Sequence, residues 1–262
     1  MVDFEIKDCY KFDDLLRIME ILRAPDGCMW DREQDHHSIR RNFIEETYEV
    51  CEAIDDEDTE HMKEELGDVL LQVVFHTQME KEKGTFDIDD VADGICKKLV
   101  FRHPHVFGTV DARDSGQALN TWDAQKREEK GQRTAADTLD SVARSLPALM
   151  RAEKIQDKAR KAGFDWAEMG PALDKAEEEM GELRQAVEQG ANVEEELGDL
   201  LFAAVKVGRF AGLDSEQALH GTCEKFIRRF RRVEELAGGR PLDSLGLHRL
   251  EELWQQAKQD EA

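Results

Sequence analysis

One unusual arrangement occurs twice in this chain, and it limits the possible folds more than any other feature. Glu46-x-x-Glu49 is followed by Glu65-Leu66-Gly67-Asp68, and Glu179-x-x-Glu182 by Glu196-Leu197-Gly198-Asp199. Each copy next carries a basic pair four residues apart, Lys98/Arg102 and Lys225/Arg229. Each closes on a Trp and a Lys at that same spacing, Trp122/Lys126 and Trp254/Lys258. One order kept over two stretches means two similar modules. We expect domains over residues 1–130 and 149–262, each long enough to bury its own core, joined by 131–148. The polar stretch 127–145 reads as an exposed linker.

The patterning is helical almost throughout. Proline occurs only five times in 262 residues, strand-like alternation is absent, and Glu, Ala, Leu, Lys and Arg are abundant. The pattern predicts helices near 10–23, 38–55, 60–82, 88–101 and 116–130 in the first half. In the second half it predicts them near 146–162, 171–189, 193–211, 214–237 and 246–259. Val69, Leu70, Val73 and Val74 recur at helical spacing beside Asp68, and Leu200, Leu201, Ala204 and Val205 beside Asp199. Asp55–Asp58 and Gln189–Asn192 read as short polar turns, which make the helices they join antiparallel neighbours. Gly190 and Gly212 stand where helix ends favour a left-handed residue, and Pro171 suits a first turn. The fold class expected is all-α, as tandem four-helix bundles.

Residues three apart on a helix share a face. Glu46 and Glu49 therefore point the same way, as do Glu65 and Asp68. Antiparallel pairing across the turn makes the four carboxylates converge, and like charges so placed gain no stability from one another. A divalent cation removes the objection, and all-oxygen ligands favour Mg²⁺ or Mn²⁺ over zinc. The second copy repeats this across a slightly shorter turn. A single E-x-x-E pair in an acidic chain is ordinarily solvated helix surface. Here the apolar flanks of each Glu-Leu-Gly-Asp set its Asp beside core positions, which a solvated face does not do. A di-iron or di-manganese centre needs Glu-x-x-His on two helices, and only Glu33/His36 has that spacing. Residues Asp87–Ala92 lack the fifth ligand and the sixth glycine of an EF-hand loop.

The bulk numbers exclude several classes. A net charge of -23 and a pI near 4.7 argue against a nucleic-acid polymer as partner, because phosphate backbones need broad basic surfaces. A small anion stays possible, since a few cations and a metal ion invert the field of one cleft. Five cysteines without a C-x-x-C read as free thiols in a reducing cytoplasm. The first ten residues lack the apolar stretch of a signal peptide, and no apolar run approaches membrane-spanning length.

Lys225 and Arg229 share a helix face, with Arg suited to bidentate phosphate contact and Lys to a point charge. Surface charge balance is the plainer reading of that helix. Trp254 and Lys258 share a face on the last helix, and the Trp serves either core packing or a base or sugar. Gly27-Cys28-Met29-Trp30-Asp31 and Gly163-Phe164-Asp165-Trp166 precede the two carboxylate helices, either as base platforms or as loop anchors. No phosphate-cradling Gly-rich loop and no nucleophile elbow is present, so metal-activated water is the chemistry left. Glu178, beside the carboxylate pair, is a possible general base.

The chain resembles the MazG family of nucleoside triphosphate pyrophosphohydrolases in its long two-domain form. In the first half the resemblance rests on residues 22–31, Glu45-Glu46-Thr47-Tyr48-Glu49, Glu65-Leu66-Gly67-Asp68 and residues 102–108. In the second it rests on Lys154-Ile155-Gln156, Gly163-Phe164-Asp165-Trp166, residues 194–199 and residues 225–229. It implies all-α bundles, magnesium, homodimerisation, and hydrolysis of a nucleoside triphosphate to monophosphate and pyrophosphate. Carried over by motif, Glu179, Glu182, Glu196 and Asp199 are implied as magnesium ligands, with Glu46, Glu49, Glu65 and Asp68 as the first domain's set. Lys175, Lys225, Arg229, Trp254 and Lys258 are implied as nucleotide contacts. Met29 stands where the family usually has Pro, Asp35 where it has Thr, and Arg40-Arg41-Asn42 where more apolar residues are common. These departures fall in the first domain, so most of the activity is expected in the second. The alternatives are a narrower enzyme for one deoxynucleotide or a phosphoribosyl-nucleotide, and a non-catalytic helical dimerisation module.

Overall fold

The computed structural model describes residues 4–110 and 112–261, and among them every regular element is helical. The chain divides into two compact units, Met1–Lys126 and Arg127–Ala262. The first contains α1 (Phe12–Arg23), α2 (Met29–Glu33), α3 (Arg40–Asp55), α4 (Thr59–Lys83), α5 (Ile88–Arg102) and α6 (Pro104–Phe107). The division falls inside α7 (Ser115–Glu129). The second contains α8 (Ala135–Asp140), α9 (Ala148–Lys161), α10 (Gly170–Gln189), α11 (Val193–Phe210), α12 (Ser215–Ala237), a 3₁₀ turn (Leu242–Ser244) and α13 (Leu247–Asp260). None of these helices is long and apolar enough to cross a membrane.

All ten long helices expected from the patterning form, with ends close to those expected. The short ones, α2, α6, α8 and the 3₁₀ turn, escape notice because so few residues display no 3.6 period. One of them lies in the stretch read as an exposed linker. Thr134 and Asp137 form a reciprocal capping box that starts α8, α8 packs on α9, and Val142 beyond it is buried.

Each unit is built around one antiparallel hairpin, α3 with α4 and α10 with α11. The connections reverse the chain through left-handed backbone, at Glu57 (φ 55°) in the first and at Gly190 (φ 66°) and Asn192 (φ 60°) in the second. Asp58 caps α4 by accepting the backbone N–H groups of Glu60 and His61. The two turns, 56–58 and 190–192, are equally short. The closer spacing of the second motif is taken up where α11 starts nearer to Glu196 than α4 does to Glu65.

In the first unit Met19, Ile39, Val74, Phe75 and Met79 form a buried cluster, flanked by Leu15, Leu16 and Leu71. It welds α1 and the α2–α3 joint to the C-terminal half of α4. In the second, Val233, Ala237, Leu253 and Ala257 bury the α12–α13 contact, while the Gln156 side chain donates to the Phe202 carbonyl at 2.8 Å and ties α9 to α11. Neither buried cluster includes a residue of the repeated carboxylate motifs.

Candidate active site

The hairpins gather the repeated carboxylates. Oxygens of Glu46, Glu49 and Glu65 lie within 4.8 Å of one another in the first unit, and those of Glu179, Glu196 and Asp199 do so in the second. The fourth member of each set lies outside that closest group but within its field. Burial, then Asp68 and Glu49, raises the Glu46 carboxyl above its ordinary range. Burial, then Glu49, raises Glu65. Burial, then Glu179, raises Glu182. Crowded carboxylates in partly dry surroundings resist ionisation, so each set costs the protein stability unless a cation joins it.

The two sets agree in a further detail. The most buried carboxylates are Glu65, 8 % exposed, and Glu179, 6 % exposed. Oε1 of each meets a basic side chain one turn earlier on its own helix: His61 at 3.1 Å from Glu65 and Lys175 at 2.7 Å from Glu179. Oε2 of each is buried with no hydrogen-bond partner among the described residues. A buried carboxylate oxygen without a partner is costly, and a hard cation satisfies it with the oxygen ligands it prefers. The residues present therefore fit a divalent metal ion.

The basic residues separate. Lys175 reaches both Glu178, at 2.9 Å, and Glu179, and these contacts, Glu179 first, raise its ammonium well above the ordinary range. It sits in the carboxylate cluster itself. Lys225 and Arg229 are half-buried on α12, where Arg229 pairs with Glu261 at 2.6 Å. Trp254 on α13 packs against Phe226, ring centres 4.9 Å apart, and joins Phe230, Val233, Leu242 and Leu250 around an apolar cavity of about 290 Å³. Lys258, one turn on, is exposed. Both readings of Trp254 thus have a structural counterpart, since it flanks the α12–α13 core and also lines an open cavity.

Two of the first unit's equivalent cations are engaged on an aromatic ring, while Lys98 is exposed. Arg102 is buried, with its guanidinium 5.2 Å from the centre of the Trp122 ring, and the Lys126 ammonium lies 4.6 Å from that ring. The aromatic loops are anchored. Arg23 donates to the carbonyls of Asp31 and Gln34 and pairs with Glu82. Asp165 receives Arg209 at 2.5 Å and Lys206 at 3.3 Å, and Lys206 lies over Trp166. Trp30 and Phe164 remain exposed. The pairings His61/Glu65 and Lys175/Glu179 follow the i,i+4 rule and could have been found from spacing. The Asp165 anchor joins residues far apart in the chain, and spacing holds no sign of it.

An all-helical unit whose central hairpin collects carboxylates able to hold a metal ion is the class of structure built twice here. The family model for the MazG nucleotide pyrophosphohydrolase domain matches residues 34–107 and 172–233. The chain is 48 % identical over 258 residues to the nucleoside triphosphate pyrophosphohydrolase of Escherichia coli K12, covering 96 % of this chain and 98 % of that one. It is 44 % identical over 249 residues to the nucleoside triphosphate pyrophosphohydrolase/pyrophosphatase MazG of Thermotoga maritima, covering 94 % and 95 %. It is also 45 % identical over 257 residues to the uncharacterized protein YabN of Bacillus subtilis, 52 % of whose length it spans. The chain belongs to the MazG family.

Proposed function

We propose that this protein hydrolyses nucleoside triphosphates, ribo and deoxy, to the monophosphate and pyrophosphate, with Mg²⁺ as its metal and Mn²⁺ as a substitute. The observation that carries the reading is the unpartnered, buried Oε2 of Glu179 inside a carboxylate cluster. Glu179, Glu182, Glu196 and Asp199 would hold the ion, and Glu46, Glu49, Glu65 and Asp68 would do so in the first domain. Bound there, a divalent ion neutralises an anionic substrate and acidifies water. Lys225 and Arg229 are assigned to the phosphates, where they stabilise the charge that develops on departing pyrophosphate. Lys175 adds a third cation at the cluster, and Trp254 and Lys258 contact the nucleoside end. Glu178, already paired with Lys175, is the candidate base for the water that attacks the α-phosphorus. That attack forms a new P–O bond and breaks the bond to the β-phosphate oxygen.

The domains are assigned to residues 1–130 and 149–262, with 131–148 between them, and the active form to a homodimer in the cytoplasm. Product analysis with a mixed panel of NTPs and dNTPs tests the chemistry. We expect monophosphate and pyrophosphate, dependent on Mg²⁺. Release of orthophosphate with a diphosphate refutes the assigned bond cleavage, and turnover of a single deoxynucleotide alone would narrow the substrate to the alternative reading.

A further inference from the structure

Three side chains outside the carboxylate site form a chain of contacts between the α2–α3 joint and α4. Nδ1 of His36 meets Nδ1 of His76 at 2.7 Å, and Nε2 of His36 meets Oε1 of Glu80 at 2.6 Å. The two ring centres are 5.0 Å apart and the ring planes differ by 3°. A nitrogen separation that short between centres that far apart leaves no sideways offset. The rings lie in one plane, nitrogen to nitrogen, and not face to face.

Two lone pairs do not face each other at that distance, so a proton lies between them. A metal ion does not fit the gap, because imidazole nitrogens stand about 2 Å from a zinc-like ion and two of them end to end would be farther apart. The side chains of Lys83, Thr85 and then His36 hold the Glu80 carboxyl down at about 2, so it is an acceptor at any physiological pH. His36 must then carry a proton on Nε2. With both rings neutral, His36 presents a bare Nδ1 and His76 donates to it. One added proton is tolerated, because a charged ring still donates to a neutral one. A second added proton places N–H groups on both facing nitrogens, and the contact fails.

We propose that Glu80, His36 and His76 form a proton-gated latch, which seats residues 35–39 on α4 while the imidazoles share one added proton or none, and lets go when both are charged. The joint leads directly into α3, so the latch positions the helix that carries Glu46 and Glu49. Its operation does not depend on what those carboxylates bind. Burial, and then the charge of His36, lowers the His76 value from 6.5. A histidine depressed in the folded state contributes its full stability above the ordinary value, and loses it as the pH falls through that value toward the folded one.

The surrounding charges are accounted for. Lys83 faces Glu80 on α4, and Asp35 feels His36 and His37 within the joint. Phe43 on α3 offers His76 only a ring, 5.8 Å between centres. On the α1 side, Glu20 pairs with Lys81 and Arg23 with Glu82, and Asp87 and Asp89 act on Lys81 from the start of α5. Residues 28–33 are held separately through Arg23, whose charge does not change with pH.

Hydrogen exchange of the full chain at about pH 7.5 and about pH 5.5, corrected for intrinsic rates, tests the latch across the histidine range. Protection of residues 36–43 should fall about tenfold or more, the equivalent of one unit of differential proton affinity, while residues 28–33 hold theirs. In His76→Asn an amide can donate to a neutral His36 or accept from a charged one, so the fall should vanish. No fall in the wild type, an equal fall in residues 28–33, or the same fall in His76→Asn overturns the proposal. A second measurement needs no variant. Ring ¹⁵N shifts at about pH 7.5 should show exactly one of the two facing nitrogens protonated, and two bare ones also overturn it.

Discussion

Glu65 and Glu179 hold matching places in the two units, each with one oxygen on a base and the other without a partner. What differs is the base, a histidine in one cluster and a lysine in the other, and the supply of cations beyond it. Arg102 and Lys126 are engaged on Trp122, whereas α12 carries Lys225 and Arg229 half-buried, Arg229 in an ion pair with Glu261. Glu196→Gln should therefore lose at least about two orders of magnitude in rate, and Glu65→Gln much less, in steady-state assays of variants shown to be helical by circular dichroism. Turnover abolished by Glu65→Gln but kept in Glu196→Gln would invert the assignment of the main site. Burial and then Glu49 raise the Glu65 carboxyl, and a raised carboxyl contributes stability at low pH that is lost as the pH climbs through its folded value. With metal chelated, Glu65→Gln should thus melt about 2 °C or more above the wild type near neutral pH, and the gap should close in acid. Thermal melts at the two pH values decide it, and a lower neutral melting point for Glu65→Gln would show that no repulsion was there to relieve.

At the scale of elements, the hairpin turns do the assembling, because they set the register in which α3 meets α4 and α10 meets α11. Both require left-handed backbone, yet they meet the requirement with different residues. Gly190 (φ 66°) adopts it freely and Glu57 (φ 55°) does not. Gly190→Ala should cost about 1 kcal/mol of unfolding stability, and Glu57→Gly should gain a similar amount, from the steric cost of a Cβ in that region. Denaturant titration checks both, and equal effects of the same sign would contradict this account of the turns. The long helices on either side were legible because apolar residues recur over several turns. The single-turn helices were not, and neither was α8, which depends on the Thr134–Asp137 box and on packing against α9.

Among the described residues, two helices carry lines of exposed apolar side chains. Leu173, Met180 and Val187 stand a heptad apart on α10, 47 %, 41 % and 61 % exposed, and Val91, Ile95 and Leu99 form a similar line on α5. Contiguous apolar stripes of this kind mark association surfaces, and a self-complementary one closes as a two-fold dimer. Light scattering at micromolar concentration should give twice the chain mass, and a monomer mass would refute the assignment. The apolar residues expected at helical spacing beside Asp199 are divided by the fold, for Val205 is buried while Leu201 stays exposed.

The amino-acid order alone determined the duplication, the helical class, the ends of the long helices and the convergence of the carboxylates. All of these are short-range consequences of helical periodicity and of one tight turn, and they recur in each copy. Only the tertiary structure decided which carboxylates become buried, that Lys175 enters the carboxylate cluster while Arg229 turns to Glu261, and that Asp165 anchors its loop through Arg209. It alone brought His36 end to end with His76. Apart from the Lys175 pairing, which is local to α10, those outcomes rest on contacts between residues tens of positions apart. Which side chains meet is settled there by the packing of the cores and by the desolvation it imposes, and neither leaves a periodic trace in the chain.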